Sequence, residues 1–561
     1  MRRGLVAGLS SLWAVACSSS SMQPLAACTA ASGGQVSLAS AGYTAIDPTQ
    51  TAGCAVFAAN PSASARQYLL VPQPTNGVPD DSSGFLLRGA TVAGAAPFAA
   101  RTPAAAALPP QLQLDLTLRR AERELASRGG GAVDRPQAVA PLARVPPVVG
   151  DRRVFNVCGN SSCTTHPTVV AFARNVGTHI AVFQDSADEA NGRTLSSADF
   201  DTLRLLFDTL LYAADTSAFG RESDIDNNGV VIVLMTGKVN ALIPGPSCTG
   251  GYIGGYFFGG DLLPKSPVNP APNLAEVFYS IVPDPTGTLS CPHTATGVKN
   301  SVPGTFIHEF QHMISFNQHV LLRGSRLGED LWLNEGLSHY AEELGARLFL
   351  PGDSTTFCYF IVGNLYNSAH FLAAPESHIL VDSSGIGGLE NRGAYWLFVR
   401  FLVDRFSSDT SRSAANLVTR ALDRTTFTGA ANVTNATGVP FATVVEQWAL
   451  ANYVSDLPAF TAPPELQYKR WRFRTDYGTI HNSCIPRTSS NLPFPTAYTL
   501  SPGSGDASAV NLAGTLHSGS GSYYIAQQAA GAAGFTLLFS NSTGYALRAS
   551  LAPRLNVLRL Q

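Results

Sequence analysis

Charge is scarce in this sequence. Charged residues make up 14 % of its 561 positions, against about 25 % in an average soluble domain, and the formal net charge is only -2. Proteins bind nucleic acids and anionic membranes through an excess of Lys and Arg, so the composition argues against both as partners. Methionine is rarer still, with 4 residues, so a substrate-binding segment that requires a methionine has few possible positions in the chain.

Long apolar runs are missing after the N-terminus: no later stretch reaches the 18 or so residues that a membrane helix needs. At the N-terminus, two arginines precede the apolar residues 5–16, which is the pattern of an export signal. The tetrapeptide ending at Cys17 has the form of a bacterial lipobox. Lipidation of Cys17 would anchor the protein at the bacterial cell surface or outer membrane. Cleavage after Ala27 would instead give a freely secreted protein.

Cysteines are few, and none forms a C-x-x-C pair, which argues against a zinc ribbon. Of the 9 cysteines, Cys17 belongs to the lipobox and the other eight form an even set. An even set in an exported protein predicts disulfides. Sequence alone leaves other connectivities open, but the simplest prediction is sequential pairing, as Cys28–Cys54, Cys158–Cys163, Cys248–Cys291 and Cys358–Cys484.

The length predicts several domains, because single cores stop growing at about 250–300 residues. With residues 1–27 as the export signal, residues 28–98 and 461–561 carry short apolar runs between Gly, Pro and Ser, which predict N- and C-terminal β-sandwiches. Residues 99–150 are rich in Ala, Pro and Arg and predict an exposed linker, either cleaved on maturation or left as a spacer. Residues 151–460 mix strand and helix patterns and form the predicted central domain.

One loop in that domain resembles the start of a calcium-binding loop. Asp224, Asp226 and Asn228 alternate and are followed by Gly229, as in the first half of an EF-hand loop. The twelfth position, which should be a bidentate Glu, is Met235. A Ca²⁺ site is therefore one interpretation, and a tight polar turn leading into the next strand is the other.

The motif H-E-x-x-H occurs once, at His308, Glu309 and His312. Residues four apart lie on one face of a helix, so both imidazoles are able to reach a single Zn²⁺ ion. The intervening Glu309 is predicted to be the base that takes a proton from a zinc-activated water. The motif therefore predicts a metallopeptidase with one Zn²⁺ per chain.

A zinc site of this kind needs a third protein ligand. The metzincin pattern would require Gly at position 315 and His at 318, where the chain has Ser315 and Gln318, with His319 one residue too late. The downstream segment 331–342 instead resembles the corresponding helix of gluzincin aminopeptidases and, more loosely, of thermolysin-like enzymes. That resemblance implies that Glu335 is the third ligand and that Glu342 orients a ligand histidine.

Within the gluzincins, residues 308–314, 224–234, 251–258 and 392–398 look most like the hyicolysin-type neutral metallopeptidases. This resemblance covers about residues 151–460 and implies a central α+β gluzincin (thermolysin-like) domain flanked by the β-sandwiches. Gluzincins stabilise the transition state with a further Tyr or His, and Tyr395 and Arg392 lie in the corresponding part of the chain. Residues 251–261 are the candidate edge strand that would hold a substrate backbone extended.

These features predict a monomeric zinc endopeptidase that acts on protein or peptide substrates outside the cytoplasm. A gluzincin aminopeptidase is one alternative, but that family binds the substrate amine with a G-x-M-E-N segment. Met235, upstream of the zinc motif, is followed by Thr236 and Gly237, so the segment is absent. The other alternative is a non-catalytic surface or adhesion protein with a relict zinc site. The presence of every predicted ligand and of the predicted base argues against it.

Overall fold

The computed structural model describes residues 24–90, 98–99, 109–130, 145–248, 250–383, 388–484 and 495–561. Cys17 and the lipobox prediction lie outside these ranges.

The strands form three groups along the chain. The first group is β1 (Gln35–Val36), β2 (Tyr43–Ile46), β3 (Cys54–Phe57), β4 (Arg66–Pro74), β5 (Ser82–Gly89) and β6 (Phe98–Ala99). The second is β7 (Arg152–Asn156), β8 (Thr168–Val176), β9 (Ile180–Asp185), β10 (Val231–Met235), β11 (Gly255–Phe257) and β12 (Val277–Ser280). The third is β13 (Gly503–Asp506), β14 (Asn511–His517), β15 (Tyr524–Gln528), β16 (Phe535–Asn541) and β17 (Pro553–Arg559).

Most of the α-helices lie between the second and third groups of strands. Across the described residues they are α1 (Pro110–Leu125), α2 (Ser186–Ala190), α3 (Ser197–Leu206), α4 (Tyr212–Ala218), α5 (Gly237–Asn240), α6 (Ala295–Phe316), α7 (Leu331–Arg347), α8 (Ser354–Ala373), α9 (Leu389–Phe406), α10 (Arg412–Asp423), α11 (Gly429–Thr437), α12 (Phe441–Val454) and α13 (Phe473–Cys484). Among the described residues, none of these helices combines the length and apolar character that a membrane span requires.

Strands from both ends of the chain interleave in two sheets. One has the order β1-β3-β16-β5-β14-β6 and the other β13-β15-β4-β17-β2. Their facing side chains share one apolar core, in which Phe57 stacks on Phe535 with ring centroids 4.2 Å apart. The prediction of two separate sandwiches, one at each end, is therefore wrong. The alternation of apolar and polar residues marks each strand but carries no information about its partner.

The central sheet has the order β11-β12-β10-β9-β8-β7. Its middle strands β9, β10 and β12 run parallel, and every residue of β10 is buried, as expected for a strand covered on both faces. The short strand β11 closes one edge and pairs antiparallel with β12. Helix α6 packs against β11 and β12, and α7, α8 and α9 pack behind it.

The predicted exposed linker is wrong for its described middle part, which forms α1. Its leucines recur every second residue, which is not an amphipathic helix pattern, yet the helix buries them on two sides. Leu112 and Leu116 pack against Leu331 at the start of α7, while Leu114 and Leu118 join the main core. A helix that packs between two surfaces needs no polar face. The spacing of the leucines therefore gave no indication that this segment is a helix.

Four disulfides tie the fold together, and they are the predicted pairs Cys28–Cys54, Cys158–Cys163, Cys248–Cys291 and Cys358–Cys484. The sequential prediction is thus confirmed, and the disulfides are consistent with export from the cytoplasm. The last of them joins α8 to α13. The central domain therefore extends to residue 484 and does not end at about 460, because α13 packs on α8 as part of the same core.

Candidate metal centre

Two adjacent helices carry the predicted zinc-binding residues. Helix α6 begins at Thr294, whose side chain caps the helix by accepting a hydrogen bond from the Gly297 amide. Its second half is buried on all sides, and His308 and His312 lie one turn apart there. Glu335 lies in the first turns of α7, which packs against α6. The helix pair therefore brings residues from separate parts of the chain to one point.

The three side chains form a compact triangle. The Nε2 atoms of His308 and His312 are 3.1 Å apart, and they lie 3.6 Å and 3.5 Å from Oε2 and Oε1 of Glu335, respectively. Ligand atoms of a tetrahedral zinc site, at 2.0–2.1 Å from the metal, are about 3.3 Å from one another. The spacing of the three side chains thus fits a Zn²⁺ ion.

Glu335 supplies a second test of that fit. Its side chain is fully buried, and neither carboxylate oxygen accepts a hydrogen bond. A buried carboxylate without hydrogen bonds is costly unless a cation lies beside it. The guanidinium of Arg392 is one such cation, with Nη2 3.6 Å from Oε2, but it leaves the side of Glu335 facing the two imidazoles open to a metal ion.

Both motif histidines are oriented by partners on α7. His308 Nδ1 lies 2.7 Å from Glu342 Oε1, and His312 Nδ1 contacts the side-chain oxygen of Asn334. Burial opposes ionisation of Glu342, but His339 and His308 outweigh it and lower the pKa of Glu342 to about 2. Such contacts fix the tautomer and ring orientation of a metal-binding imidazole, leaving Nε2 for the metal.

Glu309 lies between the two histidines in sequence but makes a different contact. Its Oε2 accepts a hydrogen bond from the backbone amide of Phe257, in β11, at 2.8 Å. The side chain is 4 % exposed, and burial raises the pKa of Glu309 to about 7. A carboxyl group with a pKa near the working pH both accepts and returns a proton readily.

The structure separates the two candidates for transition-state stabilisation. Arg392 lies beside Glu335 and forms an ion pair with Asp115 of α1. Tyr395 is buried, and its hydroxyl donates to Asp382 at 2.9 Å. The Tyr395 hydroxyl is thus engaged by Asp382, and its role in stabilising the transition state stays a prediction.

His319, the near miss for a metzincin ligand, belongs to a different buried cluster. Its Nε2 lies 3.8 Å from Glu329 Oε2 and 3.7 Å from Asp423 Oδ1. The helix widens into a π-helical turn at Asn317–Leu321, and His319 lies within that turn. The structure thus groups Glu335, and not His319, with the two motif histidines.

Sequence reasoning missed the contribution of α1. Asp115, Arg119 and Glu122 approach the centre from this helix, where Arg119 and Glu122 help to line a narrow pocket that also includes His312. The available signal was the group of charged residues among the leucines of residues 110–125, within a region rich in Ala, Pro and Arg. Asp224 and Asp226, which resemble the start of a calcium-binding loop, lie in a separate acidic group with Glu276. Asn228 follows them in the same loop.

Comparison with known proteins supports a metallopeptidase. No protein-family model matches the chain. It is 33 % identical over 138 residues to the neutral metalloprotease ShpI of Staphylococcus hyicus, a match that covers 25 % of this chain and 29 % of that protein. The chain thus matches less than a third of that relative's length. The similarity and the His–His–Glu cluster point to the same class of protein, a metal-dependent peptidase.

Proposed function

We propose that this protein is a zinc-dependent endopeptidase of the gluzincin type, similar to the hyicolysin-type neutral metallopeptidases, acting on protein substrates outside the cytoplasm. The observation that carries the proposal is the triangle of His308, His312 and Glu335 with Glu309 beside it. The partial similarity to a neutral metalloprotease supports the same activity.

Zinc held by these three residues would supply a Lewis acid that activates water and polarises the scissile carbonyl. Proton transfer and positioning are carried out by groups of the chain itself. The Glu309 carboxylate takes a proton from the attacking water and passes it to the leaving amine nitrogen. The Phe257 amide holds one oxygen of that carboxylate, so the other oxygen, Oε1, is the one that exchanges the proton. Glu342 and Asn334 keep the imidazoles oriented with Nε2 towards the metal.

The position of β11 supports cleavage of internal peptide bonds. It is an edge strand, it runs antiparallel to β12, and its Phe257 amide contacts the proposed base. An extended peptide that pairs with such an edge is held by main-chain hydrogen bonds in either direction from the cleaved bond. Together with the missing G-x-M-E-N segment, this arrangement favours an endopeptidase over an aminopeptidase.

The proposed function is tested with the full-length protein. We expect elemental analysis to find one zinc per chain, and we expect casein cleavage that a zinc chelator stops and added Zn²⁺ restores. An N-terminally acetylated peptide should be cleaved, whereas an amino-acid anilide should not. Active protein without a first-row metal would refute the metallopeptidase proposal. Cleavage of the anilide alone would indicate an aminopeptidase.

A further inference from the structure

The loop between α4 and β10 contains a group of acidic side chains that the proposed peptidase mechanism does not use. Asp224 and Asp226 come from the loop, and Glu276 comes from the residue before β12. One carboxylate oxygen of each residue lies within 4.8 Å of those of the other two. Oxygens on opposite sides of a calcium ion are at most about 5 Å apart, given bonds of 2.3–2.6 Å. The spacing therefore suits one Ca²⁺ ion.

Backbone amides of the loop hold its two aspartates in place. The Gly229 amide donates to Asp224 Oδ1 at 3.0 Å, and the Asn228 amide donates to Asp226 Oδ1 at 3.3 Å. Gly229 has a positive φ of 76°, which a residue with a Cβ adopts only with strain. These contacts wind the loop so that its alternate side chains converge.

Glu276 is the observation that points to a ligand. Its side chain is 1 % exposed, and its Oε1 accepts hydrogen bonds from Ser223 Oγ at 2.5 Å and from the Ile225 amide at 2.9 Å. Because those donors flank Asp224, the carboxylate is turned into the loop. The other oxygen, Oε2, is buried and has no hydrogen-bond donor, which leaves a charged atom for a cation to satisfy.

The charges of the group also favour a divalent cation. Arg153 of β7 pairs with Asp226, with Nη1 3.1 Å from Oδ2. The group is nevertheless built from carboxylates, and carboxylate oxygens are the ligands that Ca²⁺ prefers.

We propose that Asp224, Asp226 and Glu276 bind one Ca²⁺ ion, with Glu276 replacing the glutamate that the loop lacks at Met235. The parallel strands β10 and β12 make this replacement possible, because Ile232 follows the loop and its amide donates to the Glu276 carbonyl oxygen at 2.7 Å. The ion would then join the α4–β10 loop to the strand that precedes α6.

Calcium titration of the full-length, zinc-loaded protein in calcium-free buffer tests this site. We expect one Ca²⁺ per chain with a Kd of about 10⁻⁶ to 10⁻³ M and a melting temperature raised by several degrees at saturation. Glu276→Gln should weaken binding at least tenfold, whereas Asp201→Asn, a change at an exposed aspartate on α3, should not. If Glu276→Gln fails to fold, Asp224→Asn takes its place. The proposal is overturned if Ca²⁺ neither binds to nor thermally stabilises the folded wild type. It is also overturned if the Glu276 or Asp224 variant binds Ca²⁺ as tightly as wild type.

A second observation, independent of the first, concerns the edge of β11 that does not pair with β12. The side-chain amide of Gln111 in α1 pairs with this edge as the peptide group of a neighbouring strand would. Its Nε2 donates to the Gly255 carbonyl oxygen at 3.0 Å, and its Oε1 accepts from the Gly254 amide at 2.9 Å.

The same helix occupies the rest of the edge. Arg119 Nη2 donates to the Phe257 carbonyl oxygen at 2.6 Å, and Glu122 Oε1 accepts from the Gly259 amide at 2.6 Å. Asp115, between these residues, forms an ion pair with Arg392 beside Glu335. The helix therefore contacts the backbone from Gly254 to Gly259, a stretch that includes β11, and its Asp115 reaches Arg392 beside Glu335.

We infer that α1 is an autoinhibitory segment that competes with extended peptide substrates for the edge of β11, an inference that rests on the proposed function. A substrate paired with β11 would need the backbone groups that Gln111 and Arg119 now hold, so the two are mutually exclusive. The helix is held by buried leucines on two sides, so it does not leave the edge without a cost in apolar contacts.

The test is the double variant Gln111→Ala/Arg119→Ala of the full-length protein. We expect it to cleave casein at least tenfold faster than wild type and to bind a fluorescent peptide hydroxamate at least tenfold more tightly. Gln113→Ala, a change at an exposed glutamine on the same helix, should match wild type. If the double variant neither cleaves casein faster nor binds the hydroxamate more tightly than an active wild type, the autoinhibitory role is wrong and the proposed function still stands. Hydroxamate binding by neither protein would instead refute the proposed metal site, and with it this inference.

Discussion

Glu309→Gln is expected to lower kcat for casein cleavage by about 10²- to 10⁴-fold, the range typical for loss of a general acid–base group. Gln has nearly the same shape and keeps an oxygen that accepts the hydrogen bond from the Phe257 amide. It does not accept and return a proton, so the chemical step should fail while the fold persists. Zinc content should stay at one per chain, because Glu309 is adjacent to the ligands and is not one of them.

The control for that variant is Glu189→Gln, which removes a carboxylate that pairs with Arg174 on the protein surface. A partly exposed surface pair of this kind contributes little to stability, so both activity and melting temperature should stay close to those of wild type. Retained activity in Glu309→Gln would contradict the role of Glu309 as base. Loss of zinc together with loss of the folded structure would show that Glu309 is structural.

Glu335→Ala should weaken zinc binding by at least about 10²-fold, more than the 10- to 100-fold cost of losing a residue that only orients a ligand. The reason is that its two oxygens lie 3.5–3.6 Å from the imidazole nitrogens of His308 and His312. Competition for zinc between the protein and a chromogenic chelator measures the effect directly.

His319→Ala is the matched control for Glu335→Ala, because it also removes a fully buried ionisable side chain. It leaves Glu329 and Asp423 without their shared partner, so we expect a lower melting temperature but one zinc per folded chain. Zinc loss in His319→Ala with normal zinc in Glu335→Ala would favour a distorted metzincin-like site.

The residues of the candidate metal centre were predictable where a local rule applied. His308, Glu309 and His312 follow from helix geometry alone, because residues four apart share a face. Glu335 and Glu342 came from resemblance to known zinc helices. No local rule relates Glu335 to α6, since 23 residues separate it from His312 and tertiary packing decides their distance.

The parts of the structure that were not predicted depend on partners distant in sequence. Glu276 faces the Asp224 loop because β10 and β12 are parallel neighbours, although a motif search finds only the loop. Gln111 contacts β11 across more than 140 residues. Tyr395 lies in a favourable part of the chain, but its orientation towards Asp382 is a property of packing. The alternation of apolar and polar residues within each strand likewise gives no indication that the terminal strands interleave.

That interleaving determines how the protein would respond to proteolysis. Strand β4 pairs with β17 along seven residue pairs, and β5 pairs with β14 along another seven, so the chain leaves the sandwich for the central domain and returns to it. A single cut between β5 and β7 would therefore give a nicked, two-piece molecule rather than two separate proteins. The fragments would migrate apart in denaturing gels but travel together on a sizing column. If the N-terminus were attached to a surface, the central domain would still be retained there after such a cut.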